Sequence, residues 1–321
     1  MKQYIVRRLL LMIPILLGVS IIVFLLVAAI PGDAIDAKFG QSRLTPQRIA
    51  EMKAFLGLDQ PVGIRYVNWL KNALTGNFGF SIQYNEPVSH VIHTYIWNSF
   101  LLAIVSFVLE MVIAIPIGIY SATKVHSAFD VIFTIVAFAG ISLPSFFLAL
   151  LLQKAFSVDL GWLPLDGMSS VGVAMGPLQQ FGDVCLHMIL PTITLTVMGI
   201  GGTMRYVRTS MLEVINQDYI RTARSKGLSE RVVIYKHAFR NASIPIVTFI
   251  GGALPGLFSG AMITETVFGW PGIGKIFLAS ISQRDYMFIM GYVMLLAVLV
   301  MIGNLLSDVL YSVVDPRIRL K

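Results

Sequence analysis

Six long apolar runs, separated by segments that hold almost all of the charge, decide what this chain can fold into. They cover about Leu9–Ile30, Phe100–Ala122, Val131–Leu152, Met188–Val207, Ile244–Thr264 and Tyr286–Val314. A helix of about 22 residues is roughly 33 Å long, enough to cross the hydrocarbon core of a bilayer. A soluble protein could carry 56% hydrophobic and 13% charged residues only by leaving large apolar patches in water. The fold class expected is therefore all-α and integral to a membrane, with six transmembrane helices. The first run follows Lys2, Arg7 and Arg8, as a signal peptide would. It is too long for one, and it ends at Ile30-Pro31-Gly32-Asp33 without a small-x-small cleavage site, so it reads as a retained first helix.

The net charge of +7 would suit a nucleic-acid partner if it lay on one surface. It is instead sorted by membrane side. An even number of spans puts both termini on one side, and placing them in the cytoplasm puts most Lys and Arg inside and most acids outside. Lys2, Arg7 and Arg8 at one end and Arg317, Arg319 and Lys321 at the other agree with that orientation. The lone cysteine, Cys185, excludes an internal disulfide and any multi-cysteine metal site. His90 and His93, with no acidic or thiol companion in view, read as surface residues.

The chain divides into three parts. Residues 1–97 comprise the first span and an extracytoplasmic helical segment, residues 98–305 a five-helix core, and residues 306–321 the end of the last helix and a tail. In the outer segment Thr45-Pro46 caps a short helix with Ile49, Met52 and Phe55 on one face and Gly57 as its stop. Val62 to Leu74 repeats the pattern, with Val67, Leu70 and Leu74 on one face and Gly76 beyond. Neither piece can build a core of its own, so both are expected to pack on the outer mouth of the bundle.

The cytoplasmic loop 205–243 is far richer in Lys and Arg than in acids. Asp218 reads as an N-cap, Tyr219 to Lys226 as about two helical turns, and Gly227 as the left-handed C′ residue. Ser229 caps a second piece running toward Asn241, with Pro245 just past it. A two-turn helix is marginal alone and needs a surface to pack on. On the residues alone, anionic lipid headgroups and a soluble protein partner serve equally well.

Other features carry paired readings. Gly252, Gly256 and Gly260 recur every four residues, a ridge for close helix approach within this chain or to a second one. Pro255 could kink that helix. Glu110 lies mid-span, where a carboxylate either lines a solute path or is hydrogen-bonded between helices; Glu265 is a second candidate for the path. Gly269-Trp270-Pro271-Gly272-Ile273-Gly274-Lys275 resembles a phosphate-binding loop, but Ile276 stands where Ser or Thr would hold magnesium, and Pro271 has no N–H. An intramembrane enzyme needs grouped catalytic side chains, and His187 stands without them, so no catalytic residue is expected. An ion-coupled secondary transporter is the alternative from another class; such proteins carry several deep ionisable groups, and here only Glu110 is deep.

Three runs in the loop, Ser210-Met211-Leu212-Glu213-Val214, Gln217 through Gly227, and His237-Ala238-Phe239-Arg240-Asn241-Ala242, resemble the cytoplasmic loop of ABC-importer permeases. The general form reads Glu-Ala-Ala, three residues, then Gly. Ala223 and Gly227 match it, while Arg221 and Thr222 replace the first two residues, as is usual in the dipeptide, oligopeptide and nickel branch. Tyr4-Ile5-Val6-Arg7-Arg8-Leu9 through Ile30-Pro31-Gly32-Asp33, Gly57-Leu58-Asp59-Gln60-Pro61, Trp69-Leu70, Gly76-Asn77-Phe78-Gly79-Phe80-Ser81, Glu265 through Gly274, Arg284-Asp285-Tyr286, Asp308-Val309-Leu310-Tyr311 and Asp315-Pro316-Arg317-Ile318-Arg319 extend the resemblance over the chain. It is similar to the first, B-type permease of such systems and implies the type I ABC importer permease fold. The resemblance further implies a second homologous permease, two cytoplasmic ATP-binding subunits and an extracytoplasmic substrate-binding lipoprotein. The solute would be a peptide and the site the bacterial inner membrane. ATP and magnesium would sit on the partner subunits, with no cofactor on this chain. Asp218, Tyr219, Ile220, Arg221, Thr222, Ala223, Arg224, Lys226 and Gly227 would then couple the permease to an ATPase, and Gly252, Gly256 and Gly260 would pack against the second permease.

Overall fold

The computed structural model describes residues 2–30, 45–55 and 57–314. The expectations placed on Pro31-Gly32-Asp33, on Asp315-Pro316 and on Arg317, Arg319 and Lys321 lie outside these residues, as do those on the side chains of Met52 and Phe55. Five of the described helices are long and apolar enough to cross a bilayer, or six if one bent pair counts as a single span.

Helix α1 (Lys2–Ala28) is the first span, and the short helices α2 (Pro46–Phe55) and α3 (Val62–Leu74) follow. Thr45 Oγ1 accepts from Arg48 N at 3.4 Å at the start of α2. Helix α3 buries Trp69 and half-buries Tyr66, Leu70 and Ala73, which share one face at helical spacing. That face packs on Phe24 and Val27 of α1 and on Tyr286, Ile289 and Met290 of the last helix. The expected face was wrong in two places: Val67 and Leu74 point outward, Leu74 being 80% exposed. Trp69 and Tyr66 carry this contact together with Leu70 and Ala73.

A tight antiparallel ladder, β1 (Phe80–Ser81) with β2 (Glu86–Pro87), leads into the span α4 (Val88–Thr123). Ser81 Oγ donates at 2.5 Å to Asp285 Oδ2, which also accepts from Gln83 N at 3.2 Å. Tyr84 is half-buried beside them; burial, with Tyr95 and Asp285 adding to it, pushes its phenol up to about 12. His90 has an acidic companion after all, for Glu86 Oε2 lies 2.7 Å from its Nδ1 one turn back.

The third expected span is broken. Helix α5 (Ala128–Ser142) ends at Leu143, whose extended backbone (φ −80°, ψ 130°) is what a following proline imposes. Helix α6 (Ser145–Leu152) leaves Pro144 and continues as a π-helical turn over Gln153–Asp159, and the pair bends by 101°. Helix α7 (Pro177–Ile215) is the fourth span and forms its largest interface with α4. A Cβ on Gly118 would lie 2.8 Å from both Met204 O and Val207 Cβ, so the two backbones touch there.

Two turns of helix α8 (Asp218–Ser225) precede a rod made of α9 (Glu230–Val232), a π-helical segment (Val233–Ala238) and α10 (Phe239–Ala253). This rod does not stop before Pro245 but runs through it, and Pro245 O accepts from Tyr206 Oη at 3.2 Å. Beyond Ala253 it tightens to a 3₁₀ turn at Leu254–Phe258 and ends, followed by α11 (Met262–Val267), α12 (Ile273–Ser282) and the last span α13 (Tyr286–Val314). Arg8 and Tyr4 of α1 meet Asp308 of α13 at 3.0 and 2.7 Å, joining the first and last spans at the same end of the bundle.

Candidate coupling surface and buried carboxylates

The short loop helix α8 stands on its own chain. Ile220 is fully buried and Ala223 nearly so, on a core built from Ile119 and Ala122 of α4, Val207 and Met211 of α7, and Val233, Ala238, Ala242 and Ile246 of the following rod. Burying one isoleucine contributes about 2 kcal/mol, enough to order two marginal turns. The supposed need for an outside surface is thereby met within the molecule. The cap is also one residue earlier than expected. Gln217 has the extended N-cap backbone (φ −76°, ψ 151°), and Asp218 occupies the first turn, where its charge suits the helix dipole. Gly227 takes φ +77° just past the C-cap, as the sequence required. Arg224 Nε donates to Glu230 Oε1 at 2.7 Å, pinning the helix end to the start of α9.

The other side of α8 is left open by the described residues. Tyr219, Arg221, Thr222 and Lys226 are exposed, as are Leu228, Val232 and Tyr235 farther along the loop. Arg221 approaches Asp218 at 3.6 Å, but both are open to water and such pairs are worth about 0–1 kcal/mol. Partial burial raises the Tyr219 phenol above its ordinary value. The arrangement is a basic and aromatic patch on a rigid base whose inner side touches three spans.

Glu265, the second candidate for the path, is tied into a corner of the fold. It is fully buried, and its carboxylate is encircled by donors: Ser99 Oγ at 2.6 Å, Ala261 N at 3.0 Å and Lys275 N at 2.9 Å. The loop once comparable with a phosphate cradle is the same corner, closed by Trp270 Nε1 donating to Asn98 O at 3.0 Å. Glu110, half-buried, accepts from Thr203 Oγ1 of α7 and lies against Gly199, where a side chain would collide with it. Its carboxyl is therefore engaged between α4 and α7.

The expected glycine ridge is split. Gly260 lies outside the helix at φ +67°, where a Cβ would stand 2.5 Å from Gly274 N, so it packs inside this chain. Gly252 and Gly256 are exposed, with none of the described residues within 4 Å of where their side chains would be. Pro255, between them, faces inward onto Gly303 of α13.

Two polar ties escaped the sequence reading. Arg208 of α7 grips Asp130 of α5 with Nε at 2.9 Å and Nη2 at 3.1 Å. Asp285 links the ladder to the start of α13. Each acid sits at a helix start, Asp130 three residues after the N-cap Ser127, and that position was the available signal.

The model of the binding-protein-dependent transport system inner membrane component matches residues 114–320, and its N-terminal companion matches residues 1–103. The oligopeptide transport system permease protein AppB of Bacillus subtilis is 41% identical over 326 residues, covering 99% of each chain. The dipeptide transport system permease protein DppB of Escherichia coli K12 is 37% identical over 346 residues, with both chains fully covered. Alkalihalophilus pseudofirmus DppB is 38% identical over 333 residues, covering 99% of this chain and 100% of the relative. Among solved structures, an inward-facing form of the MetNI methionine ABC transporter aligns with a TM-score of 0.54 at 19% identity, over 70% of this chain and 96% of that one. A second crystal form of the same transporter gives 0.51 at 18% identity. These structural likenesses speak to the fold.

Proposed function

Because this chain belongs to the family of binding-protein-dependent transport system inner membrane components, we propose that it admits peptides and takes its drive through the exposed face of α8. It is a multi-pass permease subunit with the type I ABC importer permease fold. The peptide assignment rests on relatives named for oligopeptide and dipeptide transport. A second homologous permease completes the pathway. Two ATP-binding subunits, which hold ATP and magnesium and carry the hydrolysis, attach beneath it. An extracytoplasmic lipoprotein delivers the solute. Both termini lie in the cytoplasm of a bacterial inner membrane, so the α8 end of the bundle is the cytoplasmic end.

The observation that carries the coupling assignment is the two-sidedness of α8. Its exposed residues Tyr219, Arg221, Thr222 and Lys226 are free for a partner, while Ile220 and Ala223 are locked into the ends of α4 and α7 and the base of the α9–α10 rod. A subunit that seats on the outer face and moves when its dimer closes on ATP displaces Ile220, and with it three spans at once. Close-packed side chains transmit such a displacement rather than absorbing it. Of the coupling residues, Asp218, Arg224 and Gly227 shape the helix and Tyr219, Arg221, Thr222 and Lys226 meet the partner.

Gly252 and Gly256 offer the second permease a close approach, since none of the described residues occupies the space above them. The division into an outer segment, a core and a tail follows the same scheme, with residues 1–97 at the mouth. Labelled di- and oligopeptides tested for accumulation in proteoliposomes, with ATP enclosed and the cognate binding protein in the medium, decide the substrate class. Accumulation of labelled peptide supports the reading, and accumulation of an unrelated solute only would replace it.

A further inference from the structure

We infer that the slot between α5 and α7 is a binding site for an anionic phospholipid. The two helices run antiparallel and are pinned at two levels. At one level Asp130 and Arg208 are joined by two hydrogen bonds. At the other, Gly201 lets the α7 backbone reach Ala137 and Ile141, for a Cβ there would stand 2.6 Å from Ala137 O. Along this stretch the helices leave a cavity of about 290 Å³, with Thr134, Phe138, Ile141, Met204, Arg205 and Arg208 among its walls. Thr134 to Ile141 spans about 10 Å along the helix axis.

The walls differ in chemistry along that length. Phe138 and Ile141 present apolar surface, 53% and 44% exposed, which suits an acyl chain. Arg205 is exposed at the mouth, and its guanidinium has no hydrogen bond or ion pair among the described residues. Asp130 on α5 is already taken, pairing with Arg208 and accepting from His126 N at 3.0 Å. The mouth thus keeps one net positive charge at the edge of an apolar slot, where α5 begins and α7 leaves its apolar stretch.

An unpaired guanidinium beside hydrocarbon calls for an anion that also carries a hydrocarbon tail. A phosphodiester presents paired oxygens that match the fork of Arg205. A headgroup with its own ammonium would bring a competing cation, so phosphatidylglycerol fits and phosphatidylethanolamine does not. A peptide would leave the apolar walls uncovered, and free phosphate would use only the mouth.

The test uses the importer assembly purified through this chain, exchanged into nanodiscs of equal phosphatidylglycerol and phosphatidylethanolamine, then extracted with detergent and weighed by native mass spectrometry. Wild type should retain phosphatidylglycerol selectively. Arg205→Gln should lower that retention about fivefold, while Arg205→Lys keeps most of it. Ile141→Trp, which fills the slot without touching the charge, should also expel the lipid, with the assembly's melting temperature as the check on folding. Equal retention of both lipids, retention unchanged by Arg205→Gln in a folded assembly, or displacement by millimolar inorganic phosphate alone would each overturn the assignment.

Discussion

Ser99 Oγ donates to Glu265 Oε1 at 2.6 Å across 166 residues of sequence and accepts from Ile273 N at 2.7 Å. The second carboxylate oxygen of Glu265 accepts from Lys275 N, so α4, α11 and α12 converge on one buried acid. A carboxylate is the right group here because every neighbour is a donor. An amide in its place would turn an NH₂ toward N–H or O–H groups.

Glu265→Gln and Glu265→Ala should therefore both destabilise the protein, each by about 2–3 kcal/mol, through buried donors left without an acceptor. Thermal unfolding of the purified assembly checks this. An unshifted melting temperature together with lost uptake in Glu265→Gln would instead make Glu265 a solute contact.

Glu110 has one named partner, Thr203, and that hydroxyl can donate equally well to a glutamine. Glu110→Gln should keep peptide uptake within about twofold of wild type, an energy change under about 0.5 kcal/mol. A collapse of transport with normal assembly would put the carboxylate on the solute path.

The glycines separate packing inside the chain from packing between chains. Gly303 already meets Pro255, and any side chain there must displace it, so Gly303→Ala should cost about 1–3 kcal/mol of stability. Gly256→Leu projects into open space and should leave the isolated chain's stability within about 0.5 kcal/mol while reducing co-purification of the second permease. Equal permease retention in Gly256→Leu and wild type would remove Gly252 and Gly256 from that interface.

Much of this architecture was readable because lipid imposes a simple rule on long helices. The last span has the bounds expected of it, Tyr286–Val314. The break at Leu143–Pro144 was hidden inside an apolar run, although the residue before a proline carried the signal. Gly260 fell out of the glycine ridge because its partner, Gly274, becomes a neighbour only after the chain folds back. The same holds for Glu265, whose role depends on Ser99, a residue no local pattern connects to it. The loop helix was legible in its charge, its glycine stop and its length. Its inner half was not, since the core beneath Ile220 is assembled from distant helices.

Coupling through α8 is the centre of the account, and its two faces allow a direct test. Ile220→Ala should loosen the loop by about 2–4 kcal/mol, so it cannot separate folding from function. The decisive measurement is ATP-driven peptide accumulation in proteoliposomes by the double variant Tyr219→Ala, Arg221→Ala, whose substitutions touch only the outer face. The prediction is an unchanged melting temperature with accumulation and binding-protein-stimulated ATP hydrolysis both reduced at least about tenfold. Wild-type accumulation in that variant would contradict the account.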